Sequence, residues 1–247
     1  MLAVNHHRRA ERTTENATHR QPYDRASDVL EGAFDAVFPE PIRRWASHFW
    51  TPVEVAKRAA AFLAPNPSTR VLDVGSGVGK FCIVGALTTG ASFFGIEQRS
   101  HLVDVANRAA LLLRAPRTHF DVGTIEDVEW SSFDSLYFFN PFEENIFREQ
   151  GFLDGSVVLS EQRFLNDVRF IEKVLAAVAV GTKVATFHGF GGRIPRSYEL
   201  VDQQAHRGGV LRFWTKVSAE PTSADGILEA LLPLETPFEP FSLGELA

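Results

Sequence analysis

The chain has 247 residues, 45% of them hydrophobic, enough for one sizeable globular core and too few for two complete ones. Its single cysteine, Cys82, excludes an internal disulfide and a cysteine-built zinc site, and suits a reduced, cytoplasmic compartment. The formal charge of −6 is unevenly spread: residues 218–247 hold six of the 31 acids and no Lys or Arg, so residues 1–217 balance at 25 acids against 25 bases and lack the broad basic footprint that duplex nucleic acid requires.

No apolar run approaches the ~20 residues that cross a bilayer, and the opening stretch has no apolar secretory core, so a soluble, unexported protein is expected. Residues 1–21 are polar and charged and read as a flexible arm. Residues 22–50 turn amphipathic and aromatic, with Phe34, Phe38, Ile42, Trp45, Phe49 and Trp50, and predict an N-terminal helical cap of one or two helices broken at "FPEP". In "TPVEVAKRAAAFLAP", Thr51 stands as N-cap, Pro52 at the first helical position and Glu54 three places after the cap, which predicts a helix from Pro52 to about Ala64.

Beyond it strand and helix alternate. Strands are expected at 70–75, 91–98, 118–123, 133–142 and 182–192, and helices at 79–89, 101–115 and 161–180. The helix at 79–89 would place Phe81, Val84 and Leu87 or Thr88 on one side. A final antiparallel pair, 198–206 and 210–218, is joined by a tight turn at Arg207-Gly208-Gly209. This pattern means a doubly wound, mostly parallel α/β sheet with right-handed crossovers and an antiparallel last strand, spanning residues 51–217. The acidic, Pro-containing tail at 218–247 reads as a surface segment with a short helix at "DGILEALL".

The richest motif is "VLDVGSGVGK" at 71–80. A strand that runs into a glycine turn opening a helix brings backbone N–H groups close to a ligand, because glycine has no Cβ to hold it away. A dinucleotide fingerprint needs a third glycine at position 80, which is Lys. Asp73, at the mouth of the turn, would repel a pyrophosphate and suits a ligand carrying positive charge, such as the sulfonium and ammonium of S-adenosylmethionine. Glu97 ends the second strand, where a carboxylate can accept from both hydroxyls of a ribose.

The ordered stretches "VLDVGSGVGKF", "FFGIEQ", "FDVGTIED" and "FFNPF" resemble the successive motifs of class I S-adenosylmethionine-dependent methyltransferases, over roughly residues 50–217. The resemblance implies a Rossmann-like methyltransferase fold with S-adenosyl-L-methionine as cofactor. It implies that Asp73, Gly75, Ser76 and Gly77 meet the methionine part, that Glu97 holds the ribose, and that Gln98 borders the adenine. The third motif maps to Gly123, Thr124 and Ile125, with Thr where the family more often has Asp and Ile125 placed to cover the ring.

"FFNPF" resembles the Asn-Pro-Pro-aromatic signature of enzymes that methylate amino or amide nitrogens, with one proline in place of two. It assigns catalytic positioning to Asn140, Pro141 and Phe142, with Asn140 also near the cofactor. "HFWTP" resembles a Thr-Pro element packed over the methionine end, with Thr51 and Trp50 as candidate contacts. Residues 143–160, with Phe147 and Phe152, would shape the acceptor pocket together with residues 24–50.

Methyl transfer is an in-line displacement at an already activated carbon, so it needs alignment and exclusion of water, no metal, and a base only where the nucleophile must lose a proton. Base candidates are His48, Glu143, Glu144 and His188. The expectation is therefore an S-adenosylmethionine-dependent methyltransferase, nitrogen slightly favoured over oxygen, acting on a protein or small molecule in preference to duplex nucleic acid. The alternatives are a cofactor-binding module without catalysis and, lower, an NAD(P)-dependent oxidoreductase. The pattern leaves the acceptor and the oligomeric state open.

Overall fold

The computed structural model describes residues 30–146, 154–206 and 208–219. The arm at 1–21, residues 22–29 of the cap, Phe147, Phe152 and the tail from residue 220, including its expected short helix, lie outside these residues. Residues 30–35 are helical (α1), and two single turns follow, α2 (Glu40–Arg43) and α3 (Ala46–Phe49). The cap is thus three short pieces, because Pro39 and Pro41 lack the N–H that would carry a longer helix through "FPEP".

The next helix, α4 (Val53–Leu63), corrects the expected capping box. Pro52 is its N-cap and offers no side-chain cap. Thr51 turns inward instead and shares a 3.0 Å hydrogen bond with the Tyr137 hydroxyl, while Glu54 pairs with Lys57 and Arg58 along the helix. The first N–H, from Val53, is satisfied by Glu31 Oε2 at 2.7 Å, so the cap comes from α1.

The alternation then follows expectation: β1 (Arg70–Val74), α5 (Lys80–Thr89), β2 (Ser92–Glu97), α6 (Ser100–Leu112), β3 (Thr118–Val122), β4 (Ser135–Phe139), α7 (Glu161–Ala177), β5 (Lys183–Phe187), β6 (Tyr198–His206) and β7 (Gly209–Lys216). One seven-stranded sheet has the order β3-β2-β1-β4-β5-β7-β6. Strands β1 to β5 are parallel, and β7 inserts antiparallel between β5 and β6. The β4 strand stops at Phe139, three residues short of the expected end, because Asn140 takes φ +47° and leaves the extended region.

Two buried clusters line the two faces. Val71, Phe93 and Tyr137 pack with α4, α5 and α6, whereas Leu72, Leu136 and Phe138 pack with α7. Phe81 stacks on Tyr137 with centroids 3.8 Å apart. The α5 helix is buried continuously from Lys80 to Ala86, and Leu87 is exposed, so the expected one-sided stripe is replaced by a helix wedged between α4 and the sheet. A Cβ at Gly79 would stand 2.4 Å from the Phe120 ring, and that close approach sets how tightly α5 enters the fold. Strand order reverses between β1 and β4, which opens a crevice at their carboxyl ends.

Candidate functional site

The cleft at those carboxyl ends, about 1060 Å³ out to open solvent, is lined by the glycine turn, the ends of β2, β3 and β4, the cap at His48 to Trp50, and residues of α7. Gly75 and Ser76 both donate to the Ile96 carbonyl at 3.0 Å, which ties the turn to β2. Gly75, Gly77 and Gly79 all have positive φ, the conformation that excludes most side chains. Gly75 is pressed under Pro141, whose Cβ would be 2.9 Å from a Cβ there, whereas a Cβ at Gly77 would meet no protein atom within 4 Å.

Glu97 is 7% exposed and faces the cleft. Its Oε2 accepts from Gly77 N–H at 3.1 Å and its Oε1 from Arg99 N–H at 2.9 Å. Burial raises its pKa, against the lowering effect of these bonds and the Arg99 charge. Each carboxylate oxygen retains acceptor capacity toward the cleft.

Asp73 takes a different place from the one that the sequence suggests. It is buried on the α4/α5 side of the sheet, with Cys82 Sγ donating to its Oδ2 at 3.6 Å, and it is not among the cleft-lining residues. Burial pushes its pKa to about 8; the Cys82 bond opposes this and the charge of Glu97 adds to it. Thr51, bound to Tyr137, also lies off the cleft wall, while its neighbour Trp50 lines it. Ser76 sits beneath the turn, 9% exposed, with its Oγ buried and without a hydrogen-bond partner among the described residues. That hydroxyl lies 2.4 Å from where a Cβ at Gly95 would be, so Gly95 makes room for it.

Gln98, Gly123, Thr124 and Ile125 line the far side. Gly123 donates to the Glu97 carbonyl at 3.0 Å, and the Thr124 hydroxyl joins a capping box with Asp127. Gln98 Oε1 accepts from Arg163 of α7.

At the acceptor end the cleft wall holds Phe139, Asn140, Pro141, Phe142 and Glu143 opposite Ile42, His48 and Phe49. Asn140 N–H donates to the Gly189 carbonyl at 2.8 Å, which explains how a non-glycine residue is held at positive φ. Its side-chain amide donates to Glu143 Oε2. Burial raises the Glu143 pKa to about 7. Of the base candidates, His48, Glu143 and Glu144 reach the cleft, whereas His188 does not line it and is held near pKa 4 by burial and the Arg212 charge.

Sequence reasoning missed two arginines. Arg99, whose side chain is 2% exposed, binds Glu144 at 2.9 Å and Asp154 at 3.2 Å. Arg163 donates to Gln98 Oε1 and pairs with Asp167 one turn along α7, and all three line the cleft. Both belong to segments separated by tens of residues, and no local motif marks them.

The donor set suits the implied cofactor: a buried carboxylate with spare acceptor capacity and an open glycine, Glu97 and Gly77, line one cleft. A family model described as a methyltransferase domain matches residues 65–185. No curated protein matches the chain. Among solved structures, an RNA methyltransferase from Salinibacter ruber in complex with S-adenosyl-L-homocysteine is 20% identical with a TM-score of 0.52, covering 70% of this chain and 97% of that one. TrmN from Thermus thermophilus is 16% identical with a TM-score of 0.51, covering 76% of this chain and 53% of its own. Both likenesses concern the fold.

Proposed function

We propose that the chain, whose residues 65–185 match a methyltransferase domain, is a class I S-adenosylmethionine-dependent methyltransferase and that this cleft transfers the cofactor's methyl group to a nitrogen acceptor. The observation that carries the proposal is the corner Asn140-Pro141-Phe142, set directly over the glycine turn through the Pro141 contact with Gly75. The bound cofactor supplies a methyl carbon activated by a sulfonium.

Every other contribution comes from the chain. Glu97 accepts the ribose hydroxyls, Gly75, Ser76 and Gly77 bind the methionine part, with Asp73 beneath them and Thr51 behind Trp50. Gln98, Gly123, Thr124 and Ile125 border the adenine. The Glu143 bond fixes the amide plane of Asn140 and leaves its carbonyl oxygen to accept an N–H from the acceptor. Phe142 and the cap residues exclude water, which a developing charge needs for strong orientation by fixed dipoles. Protein or small-molecule acceptors suit the near-neutral body better than duplex nucleic acid does. Among the described residues no helix is long and apolar enough to cross a membrane, and the single cysteine suits a cytoplasmic setting.

Incubating the full chain and a cell extract with tritiated-methyl cofactor tests this reading. Label recovered after hydrolysis as N-methyl product, reduced at least ~100-fold in Asn140→Ala, a loss of about 2.7 kcal/mol of transition-state stabilisation, is the expected result. Label recovered as alkali-labile methyl ester would contradict the nitrogen assignment.

A further inference from the structure

The ionisable groups on the cleft wall are not equivalent. Arg99 takes Glu144, Arg163 takes Asp167, and Glu97 receives two backbone N–H groups. His48, on the cap, has its Nδ1 within 3.0 Å of Ser47 Oγ. Glu143 differs: it is partly buried at the acceptor end and forms no ion pair among the described residues. Its Oε2 faces the Asn140 amide, and no described donor reaches Oε1. A partly buried carboxylate without a cation is unfavourable unless a ligand provides one. The apolar and aromatic residues that line the same end of the cleft, Ile42, Phe49 and Phe139, fit an alkyl chain beneath a cationic head.

We infer that the methyl acceptor is a protonated alkyl amine, with Glu143 as the carboxylate that binds its ammonium and takes its proton before transfer. The inference rests on the methyl-transfer reading given above and names its substrate class. An amide or an adenine amino group arrives uncharged and would leave the partly buried Glu143 charge without a counter-ion. An ammonium has no lone pair until a base removes a proton.

The step balances simply. One N–H bond of the ammonium breaks and its proton passes to Glu143, whose charge is cancelled. The freed nitrogen lone pair forms the N–C bond to the methyl carbon as the C–S bond breaks, and the C–S electron pair stays on sulfur. The products are a methylammonium and a neutral thioether, and Glu143 returns its proton to water. A general base tuned close to neutral pH is the efficient choice for such a transfer.

The test uses the full chain, tritiated-methyl S-adenosylmethionine and four probes: N-acetyl-lysine methylamide, an oligolysine peptide, N-acetyl-glutamine methylamide and adenosine. Cofactor binding is titrated separately. Transfer to the two amines at least ~10-fold above the other two is expected. Glu143→Gln should lower kcat for the amines ~100-fold with cofactor affinity held within about threefold, and Glu143→Asp should restore part of the rate. In the wild type the rate should rise with pH through about 7, a limb absent in Glu143→Gln. Preference for the glutamine amide or adenosine, transfer to no probe while the cofactor still binds, or an unchanged kcat in Glu143→Gln would each overturn the amine assignment. Loss of cofactor binding by the wild type would overturn the reading beneath it.

Discussion

Lys80→Met is expected to lower the free energy of unfolding by about 3 kcal/mol, the lower end of the range for removing one partner of a buried ion pair. The Lys80 side chain is 3% exposed; its ammonium contacts Glu31 and lies 2.5 Å from Asp35 Oδ1. Without it the Asp35 carboxyl, 13% exposed, loses the one cation in contact with it among the described residues, and the more distant Arg43 charge remains. Burial already raises the Asp35 pKa and Lys80 opposes that rise, so the loss should be smaller at pH 4, where Asp35 can take a proton. Adding Asp35→Asn to Lys80→Met should recover at least ~1.5 kcal/mol, since residues in one ion-pair network couple by roughly 0.5–3 kcal/mol. Urea denaturation of the four proteins measures both quantities. Additive effects would show that the triad contributes nothing as a unit. The same triad fastens α1 to the start of α5, and Glu31 also caps α4, so loosening it should weaken the hold on the cap that carries Trp50.

Asp73→Asn is expected to stabilise the protein, by about 4 kcal/mol at pH 7. A carboxyl with a folded pKa of about 8 against an unfolded value near 3.8 favours its neutral form on folding. Its contribution is therefore complete below about pH 4 and is lost as pH rises toward 8, at about 1.4 kcal/mol per unit between the two values. The Asn variant has no such slope. Thermal denaturation at pH 5 and pH 8 should show the advantage of the variant growing with pH, and a variant equal to the wild type at pH 8 would contradict the burial of an ionisable group here.

Legibility in the sequence followed the range of the interaction. The order of strands and helices was readable because each is set by local periodicity, by glycines and by the apolar run of β4, and the antiparallel β6 and β7 were announced by their glycine turn. The α4 cap was misread because Thr51, Pro52 and Glu54 satisfy every local rule, yet the Tyr137 hydroxyl and Glu31, 86 and 22 residues away respectively, claim the groups that the capping box would use. Placement of Gly77, Glu97, Gln98 and Asn140 on one cleft was foreseeable from motif order. The burial of Asp73 beside Cys82 was not, because facing inward or outward at a strand end depends on which helix covers it. Arg99 and Arg163 were invisible for the same reason: their partners Glu144, Asp154 and Gln98 come from other elements.

Isothermal titration of the full chain with S-adenosylmethionine, beside Glu97→Ala and with NADH as the competing ligand, is the measurement to make. Binding of the methyl donor at about micromolar Kd is expected, weakened roughly 100-fold in Glu97→Ala, since two charge-assisted hydrogen bonds of about 1.5 kcal/mol each organise the turn and the ribose position. A thermal melt of the variant separates lost binding from lost folding, and no heat should appear with NADH. Tight NADH binding, or a folded Glu97→Ala that binds S-adenosylmethionine as well as the wild type, would contradict the assignment of this cleft as the methyl-donor site.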